Sequence, residues 1–471
     1  MLEGLEIVEV LASKVRSGTE TWRFDPEYFQ KQYLEDERVV AARSDAFCSF
    51  ANIGISVDAS AFYPSIESYY GEGSLPFLRV ADVDSIIDFE TCTCIPEKLC
   101  GLFPTLAKVW PGDILFTKGG SVARIGLVTK PAAVSRDLIF LNTSKLSRED
   151  QSFLYLYFQS NFFNRALLRS SSQTAQPHLT ITLVRNLSIL VACDALKVRL
   201  LNFVESAFDA HASSIGFRTK AETALLRSLA IESWQTPEPL SYIRNSLDAF
   251  ATGRLDAEYF QPKYAKLIEL IEATGQASPL ADLLQTNQRG KQPEYAESGL
   301  SVVNSKHVAN GEVRVDADNR YATSSDSSLL IEPGDVLING TGVGTIGRAA
   351  PYLHSFKAIP DNHVTILRPH KGNIDPVYLA VFLNSLAGQL QVEQRFRGSS
   401  GQIELYPNDI AQFTIWVAPE NIQAQVRQSV EASFQAKQRA TQLLDAAKRA
   451  VEIAIEDSEA AALVYLAGVN P

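Results

Sequence analysis

The sequence predicts an α+β protein built as a tandem repeat: two mixed α/β modules, each followed by a long helix, with the helices packed as an antiparallel coiled coil about an internal pseudo-twofold axis. Three observations predict it. Segments of the first half return in the second at a nearly constant offset; short apolar runs broken by Gly, Pro, Asn and Asp fill about 150 residues of each half; and each half closes on a long amphipathic stretch.

The repeat is direct. Arg23-Phe24-Asp25-Pro26-Glu27-Tyr28-Phe29-Gln30 returns as Arg254-Leu255-Asp256-Ala257-Glu258-Tyr259-Phe260-Gln261 at an offset of 231, with six of eight positions identical. Pro111-Gly112-Asp113-Ile114-Leu115 returns as Pro333-Gly334-Asp335-Val336-Leu337, and Arg124-Ile125-Gly126 is echoed by Thr345-Ile346-Gly347, both at an offset near 222. Leu187-Ser188-Ile189-Leu190-Val191 matches Phe413-Thr414-Ile415-Trp416-Val417 at an offset of 226. Unlike sequence between these anchors describes one framework duplicated, with its surfaces diversified.

Within each copy the Tyr-Phe segment reads as helical, and runs such as Leu75-Pro76-Phe77-Leu78-Arg79-Val80 and Gly299-Leu300-Ser301-Val302-Val303 read as strands. Two helical patches follow, over 152–168 and 376–391. The first long helix carries Leu196, Leu200, Val204, Phe208, Ala212, Leu225 and Leu229 at helical spacing. Gly216 marks a place for a kink, at about 1 kcal/mol relative to Ala, and Pro237 and Pro239 are expected to end the helix. The second carries Val426, Val430, Phe434, Leu444, Ala447, Val451 and Ile455, with no Pro between Pro419 and Pro471. The expected divisions are an N-terminal segment with the first repeat helix (1–44), the first module (45–193), a central helix (194–236), a linker with the second repeat helix (237–275), the second module (276–418), a distal helix (419–456) and a C-terminal tail (457–471).

Composition narrows the function. At 471 residues, two or more domains are expected; 46% hydrophobic and 21% charged residues are ordinary globular usage and exclude a disordered chain. No apolar run approaches the ~20 residues of a membrane helix, and the first residues lack a signal-peptide pattern, so a cytoplasmic protein with no membrane association is expected. The five cysteines, Cys48, Cys92, Cys94, Cys100 and Cys193, are odd in number and lack zinc-knuckle spacing; reduced thiols and no metal are expected. A net charge of −11 excludes coating of nucleic acid by bulk attraction, but not a reader whose positive potential is confined to small surfaces.

Gly342-Val343-Gly344-Thr345-Ile346-Gly347 spells a dinucleotide fingerprint, yet Pro351 follows at once and no helix pattern opens there. A strand–turn–strand is the better reading, and a nucleotide-binding or transferase module at this turn is the alternative enzyme reading. No phosphate-cradling Gly-Lys-Ser/Thr loop, His-Glu-x-x-His or Asn-Pro-Pro-Tyr motif occurs, so no catalytic residue and no cofactor is assigned. Asp113 and Asp335 sit in Pro-Gly-Asp turns, where Asp caps the turn through its side chain. Polar stretches from Arg169 to His178 and from Arg395 to Gln402 precede the closing strand of each module and hold the residue types that reach phosphates and base edges.

The two Pro-Gly-Asp-Ile/Val-Leu turns, the Ser-rich loops and Val417-Ala418-Pro419 leading into the distal helix carry a resemblance. Over nearly its whole length the chain resembles the specificity subunits of type I restriction-modification systems. The resemblance implies two target recognition domains, each binding one half of a split double-stranded DNA site and held apart by the two long helices. It also implies DNA adenine methyltransferase subunits, two of them, and a motor-nuclease subunit as partners. The side chains expected at DNA are Lys118, Arg124, Arg169, Ser171, Gln173 and Gln176 in the first domain, and Asn339, Arg348, Arg397, Ser399, Ser400 and Gln402 in the second. A distal helix of ~1.5 Å rise per residue spans on the order of 50 Å. Half-sites about one DNA turn apart then leave roughly six to eight unspecified base pairs. The other alternative is a protein scaffold without a DNA role.

Overall fold

Each Pro-Gly-Asp turn launches the central strand of a module. Gly112 and Gly334 take φ of 97° and 94°, a left-handed conformation that favours glycine. The following aspartate folds back, accepting Trp110 N–H at 2.8 Å through Asp113 Oδ2 and Glu332 N–H at 2.7 Å through Asp335 Oδ2. These are turn caps. The second oxygen of Asp113 accepts Thr143 N–H at 3.1 Å, while that of Asp335 accepts Arg368 Nε at 2.7 Å. Burial pushes the Asp113 carboxyl above its ordinary value, with the Trp110 and Thr143 N–H groups pulling the other way.

In the computed structural model, residues 7–18, 25–62, 64–118, 124–170, 181–185, 187–309, 311–315, 319–323, 329–398 and 403–471 are described. The chain divides into two units, Met1–Ala212 with Ala436–Pro471, and Ser213–Gln435.

In the first unit an antiparallel sheet runs Ser56–Ala59, Leu138–Asn142, Ile114–Thr117, Ile125–Leu127. In the second the order is Leu284–Arg289, Val364–Pro369, Val336–Asn339, Ala349–Pro351, again antiparallel. Alternate side chains of the central strand face opposite sides. Ile114 and Phe116 enter one core and Leu115 another; Val336 and Ile338 likewise part from Leu337. With both faces covered, the strand reads as an unbroken apolar run. A second small sheet in each unit contains one parallel pair, Leu75–Leu78 with Ala132–Val134 and Leu300–Val303 with Ile359–Pro360. The closing strands Ser188–Leu190 and Thr414–Trp416 pair with Phe47–Ser49 and Ala277–Pro279. The four-stranded main sheet and the closing pair are built twice; the small sheets share the parallel pair and differ in their outer strands.

Sheet pairing corrects one sequence match. Ile125 lies opposite Phe116 and Ala349 opposite Ile338, so the counterpart of Arg124-Ile125-Gly126 is Arg348-Ala349-Ala350, not Thr345-Ile346-Gly347. The loop before the returning strand is longer in the second module, which moves the sequence echo out of register with the ladder.

The helical patches are each two helices, Arg148–Gln159 with Asn161–Ser170, and Pro376–Asn384 with Leu386–Arg395. The break falls on a buried serine whose hydroxyl bonds back to the preceding turn: Ser160 to Tyr157 O at 2.6 Å, Ser385 to Phe382 O at 2.7 Å. The Tyr-Phe repeats form short 3-10 turns, Pro26–Phe29 and Ala257–Phe260, with edge-on ring pairs at 5.1 Å and 5.0 Å.

The long helices are Asp194–Ser228 and Glu420–Glu456. In the first unit Leu196, Leu200, Phe203 and Ala207 share a core with Leu444, Ala447, Val451 and Ile455. The start of the central helix meets the chain just past the end of the distal one, where Cys193 N–H donates to Glu459 Oε1 at 2.8 Å, so the two run antiparallel. In the second unit Leu225 and Leu229 pack with Val426 and Val430, and Ser433 Oγ donates to Ser214 O at 2.7 Å. The central helix passes through Gly216 unbroken. It stops at Ser228, short of the expected 236. Ala230 is left-handed (φ 59°), and Ile231 N–H returns to Leu226 O at 2.9 Å with its side chain buried; this C-terminal cap, not Pro237, ends the helix. The C-terminal tail is also helical, over Glu459–Ala467, capped by Ser458 and burying Ala462 and Leu466 in the first unit's core.

Candidate nucleic-acid interface

The far end of the second module's central strand gathers side chains from five separate segments. The strand ends at Asn339, whose amide is wholly buried and donates to Ser305 O at 3.0 Å and Val308 O at 3.2 Å. Those bonds hold the turn that carries exposed Lys306. Gly340 N–H donates to His363 O at 2.8 Å, and the Thr341 hydroxyl lies 2.7 Å from His363 Nδ1. The chain then turns through Gly342, Gly344 and Gly347, all at positive φ, and returns as exposed Arg348. No helix opens at this turn, so the aligned N–H groups that would bind a pyrophosphate are missing from it.

Arg397 and Glu404 exchange both backbone hydrogen bonds at 2.8 Å, and Glu404 bridges to Thr341. Arg289 reaches the same place, donating through Nε to Asn362 O at 2.7 Å and through Nη1 to Glu404 at 3.5 Å, with its guanidinium 5.7 Å from the Tyr406 ring centre. The Tyr406 hydroxyl, opposed by slight burial and helped by Arg289, holds the Glu404 carboxyl below its ordinary value. Arg397 donates to buried Asp409 at 2.7 Å. Arg289, Lys306, Arg348, Arg397 and His363 thus converge on one rim of the sheet, with Arg289 and Arg397 already oriented by carboxylates.

The first module builds the same backbone with different side chains. Thr117 takes the place of Asn339 and is equally buried; its N–H donates to Arg124 O at 3.1 Å, and its hydroxyl accepts Arg124 N–H at 3.0 Å. Lys118 N–H donates to Asp137 O at 2.8 Å. Lys118 is half-buried and Arg124 exposed.

Of the side chains expected at DNA, Lys118 and Arg124 in one module, and Arg348 and Arg397 in the other, lie at this rim. Two lie elsewhere. Asn339 is interior, and Arg169 is drawn against the N-terminal segment, pairing with Glu37 at 2.6 Å, donating to Tyr28 O at 2.9 Å and stacking 4.2 Å from the Tyr28 ring, with 11% of its side chain exposed. The causes differ: the Asn339 amide is taken up by two backbone carbonyls, and the Arg169 guanidinium by the Glu37 carboxylate and the Tyr28 ring and carbonyl. Ser171, Gln173, Gln176, Ser399, Ser400 and Gln402 fall outside the described residues. Sequence reasoning missed Arg289, Lys306 and His363, which only strand pairing brings to the rim.

Cys92 is buried, and its thiol is pushed up to about 12, chiefly by burial and then by Asp82 and Asp88. Among the described residues no helix is long and apolar enough to cross a membrane.

No family model and no curated protein matches the chain. Among solved structures it is similar to the S subunit of a type I restriction-modification system from M. genitalium, with 14% identity, 89% of this chain and 95% of that chain covered, and a TM-score of 0.33. It is also similar to the HsdS subunit from Thermoanaerobacter tengcongensis, with 15% identity over 88% of this chain and 96% of that one and a TM-score of 0.28. A third likeness, at 10% identity and a TM-score of 0.32, joins 37% of this chain to 28% of the type IIG restriction endonuclease BpuSI.

Proposed function

We propose that the chain is the specificity subunit of a type I restriction-modification system: a non-catalytic cytoplasmic protein that reads a bipartite DNA site and carries two adenine methyltransferase subunits, with a motor-nuclease subunit as a further partner. One observation carries this reading. The same four-stranded sheet occurs twice, down to equivalent backbone hydrogen bonds, while the side chains at the rim of its central strand differ between the copies. A repeated frame with unlike polar rims suits a molecule that must read two unlike short sequences. The target recognition domains correspond to 45–193 and 276–418, and the paired long helices supply the spacer and the methyltransferase docking surface.

Purifying the tagged full-length chain from its own host tests the proposal. An adenine methyltransferase should co-purify, and the assembly should bind duplex DNA with an affinity that falls steeply with salt. A chain that brings down no methyltransferase and shows no salt-dependent DNA affinity would be a scaffold of another kind.

Arg397→Ala should relax the base preference of one half-site by about 1–3 kcal/mol. The other half-site should keep its preference, as selection from randomised duplexes would show. The ion pair with Asp409 orients the guanidinium, so Asp409→Asn is expected to weaken the same half-site and not the other.

A further inference from the structure

We infer that Arg124 and Arg348 are a matched pair of phosphate contacts, one in each module, and that the positions which differ beside them, Lys118 and Asp137 against Gly340 and His363 with the neighbouring Thr341, are where each module reads bases. The inference rests on the DNA-reading function proposed above.

The ladders align the two modules residue by residue. Thr117 N–H donates to Arg124 O as Asn339 N–H donates to Arg348 O, at 3.1 Å and 2.9 Å. Lys118 N–H donates to Asp137 O as Gly340 N–H donates to His363 O, both at 2.8 Å. Arginine therefore occupies the same ladder position twice, exposed both times, and among the described residues neither guanidinium has a hydrogen-bond or ion-pair partner. The flanking positions diverge in chemistry: a lysine and an exposed aspartate in one module, a glycine and an exposed histidine bonded to Thr341 in the other.

What two half-sites of unlike sequence share is the sugar–phosphate backbone, and contacts to it set register without reading sequence. A free arginine common to both modules fits that shared element. What half-sites do not share is their base edges. Lysine suits the guanine acceptors and aspartate the cytosine amino group, whereas threonine can address either kind of edge, so the divergent positions fit the reading role.

The test uses the full chain with its co-purifying proteins, titrated against one arbitrary duplex over a salt series and then selected on randomised duplexes. Arg124→Ala and Arg348→Ala should each make the slope of log affinity against log salt shallower by about 1 and leave the selected sequence unchanged in both halves. Arg124→Lys and Arg348→Lys should retain the wild-type slope. His363→Ala and Asp137→Asn should each change the selected bases in one half only. An unchanged slope in the alanine variants, an altered base preference caused by them, or an intact selected sequence in His363→Ala and Asp137→Asn would each overturn the assignment. Wild-type protein that neither binds the duplex nor enriches any sequence would instead overturn the DNA-reading function, an outcome visible before any variant is made.

Discussion

Asp335→Ala is expected to destabilise the second unit by about 3 kcal/mol, the low end for breaking a buried ion pair, because the guanidinium left behind keeps only a longer contact with Glu332. The carboxylate is 1% exposed and receives both Arg368 Nε at 2.7 Å and Nη2 at 2.8 Å, in addition to the Glu332 N–H. Losing it leaves the guanidinium only its longer contact with the partly exposed Glu332, at 3.4 Å, and the Leu330 carbonyl, and opens the turn that starts the central strand. The equivalent Asp113→Ala should cost less, about 1–3 kcal/mol for the backbone N–H groups left unpaired, since among the described residues no cation pairs with Asp113. Urea unfolding followed by tryptophan fluorescence, with Trp416 reporting the second unit and Trp110 the first, measures both effects; equal shifts for the two variants would show that the Arg368 pair adds nothing.

Inserting four residues after Ser214 and four after Ser433 should lengthen the unspecified gap of the DNA site while both half-sites keep their sequence. The two points face each other, as the Ser433 hydroxyl bond to Ser214 O shows, so paired insertions lengthen both helices at one level. Four residues rotate the helix by little more than one turn and keep the apolar seam nearly in phase. They add ~6 Å of rise, against ~3.4 Å per base-pair step, so one to two additional unspecified pairs are expected. Mapping methylated sites made by the variant measures the gap directly, and an active assembly with an unaltered gap would show that the helices do not set it.

The parts legible in the sequence are those whose signal is local. The Pro-Gly-Asp turns, the apolar central strands and the 3.6-residue stripes of the long helices each state their structure within a few residues. What escaped depends on residues distant in sequence. Arg289, His363 and Glu404 meet because the strands Leu284–Arg289, Val364–Pro369 and Val336–Asn339 pair. No spacing announces that. The equivalence of Arg124 and Arg348 was hidden by unequal loop lengths, and the end of the central helix by an alanine in the left-handed position usually taken by glycine. Asn339 looked like a contact residue because amides read adenine; its two carbonyl partners lie more than thirty residues away.

If two unlike rims on one repeated frame read the two halves of a single DNA site, the methylation of the host genome should carry their imprint. Genome-wide mapping of methylated adenines in the host, with and without an intact copy of this chain, tests it most directly. One class of methylated site, two short specified blocks separated by a fixed unspecified gap, should disappear without the chain; a methylation pattern that does not change, or a lost site that is one uninterrupted block, would rule out a two-rim reader.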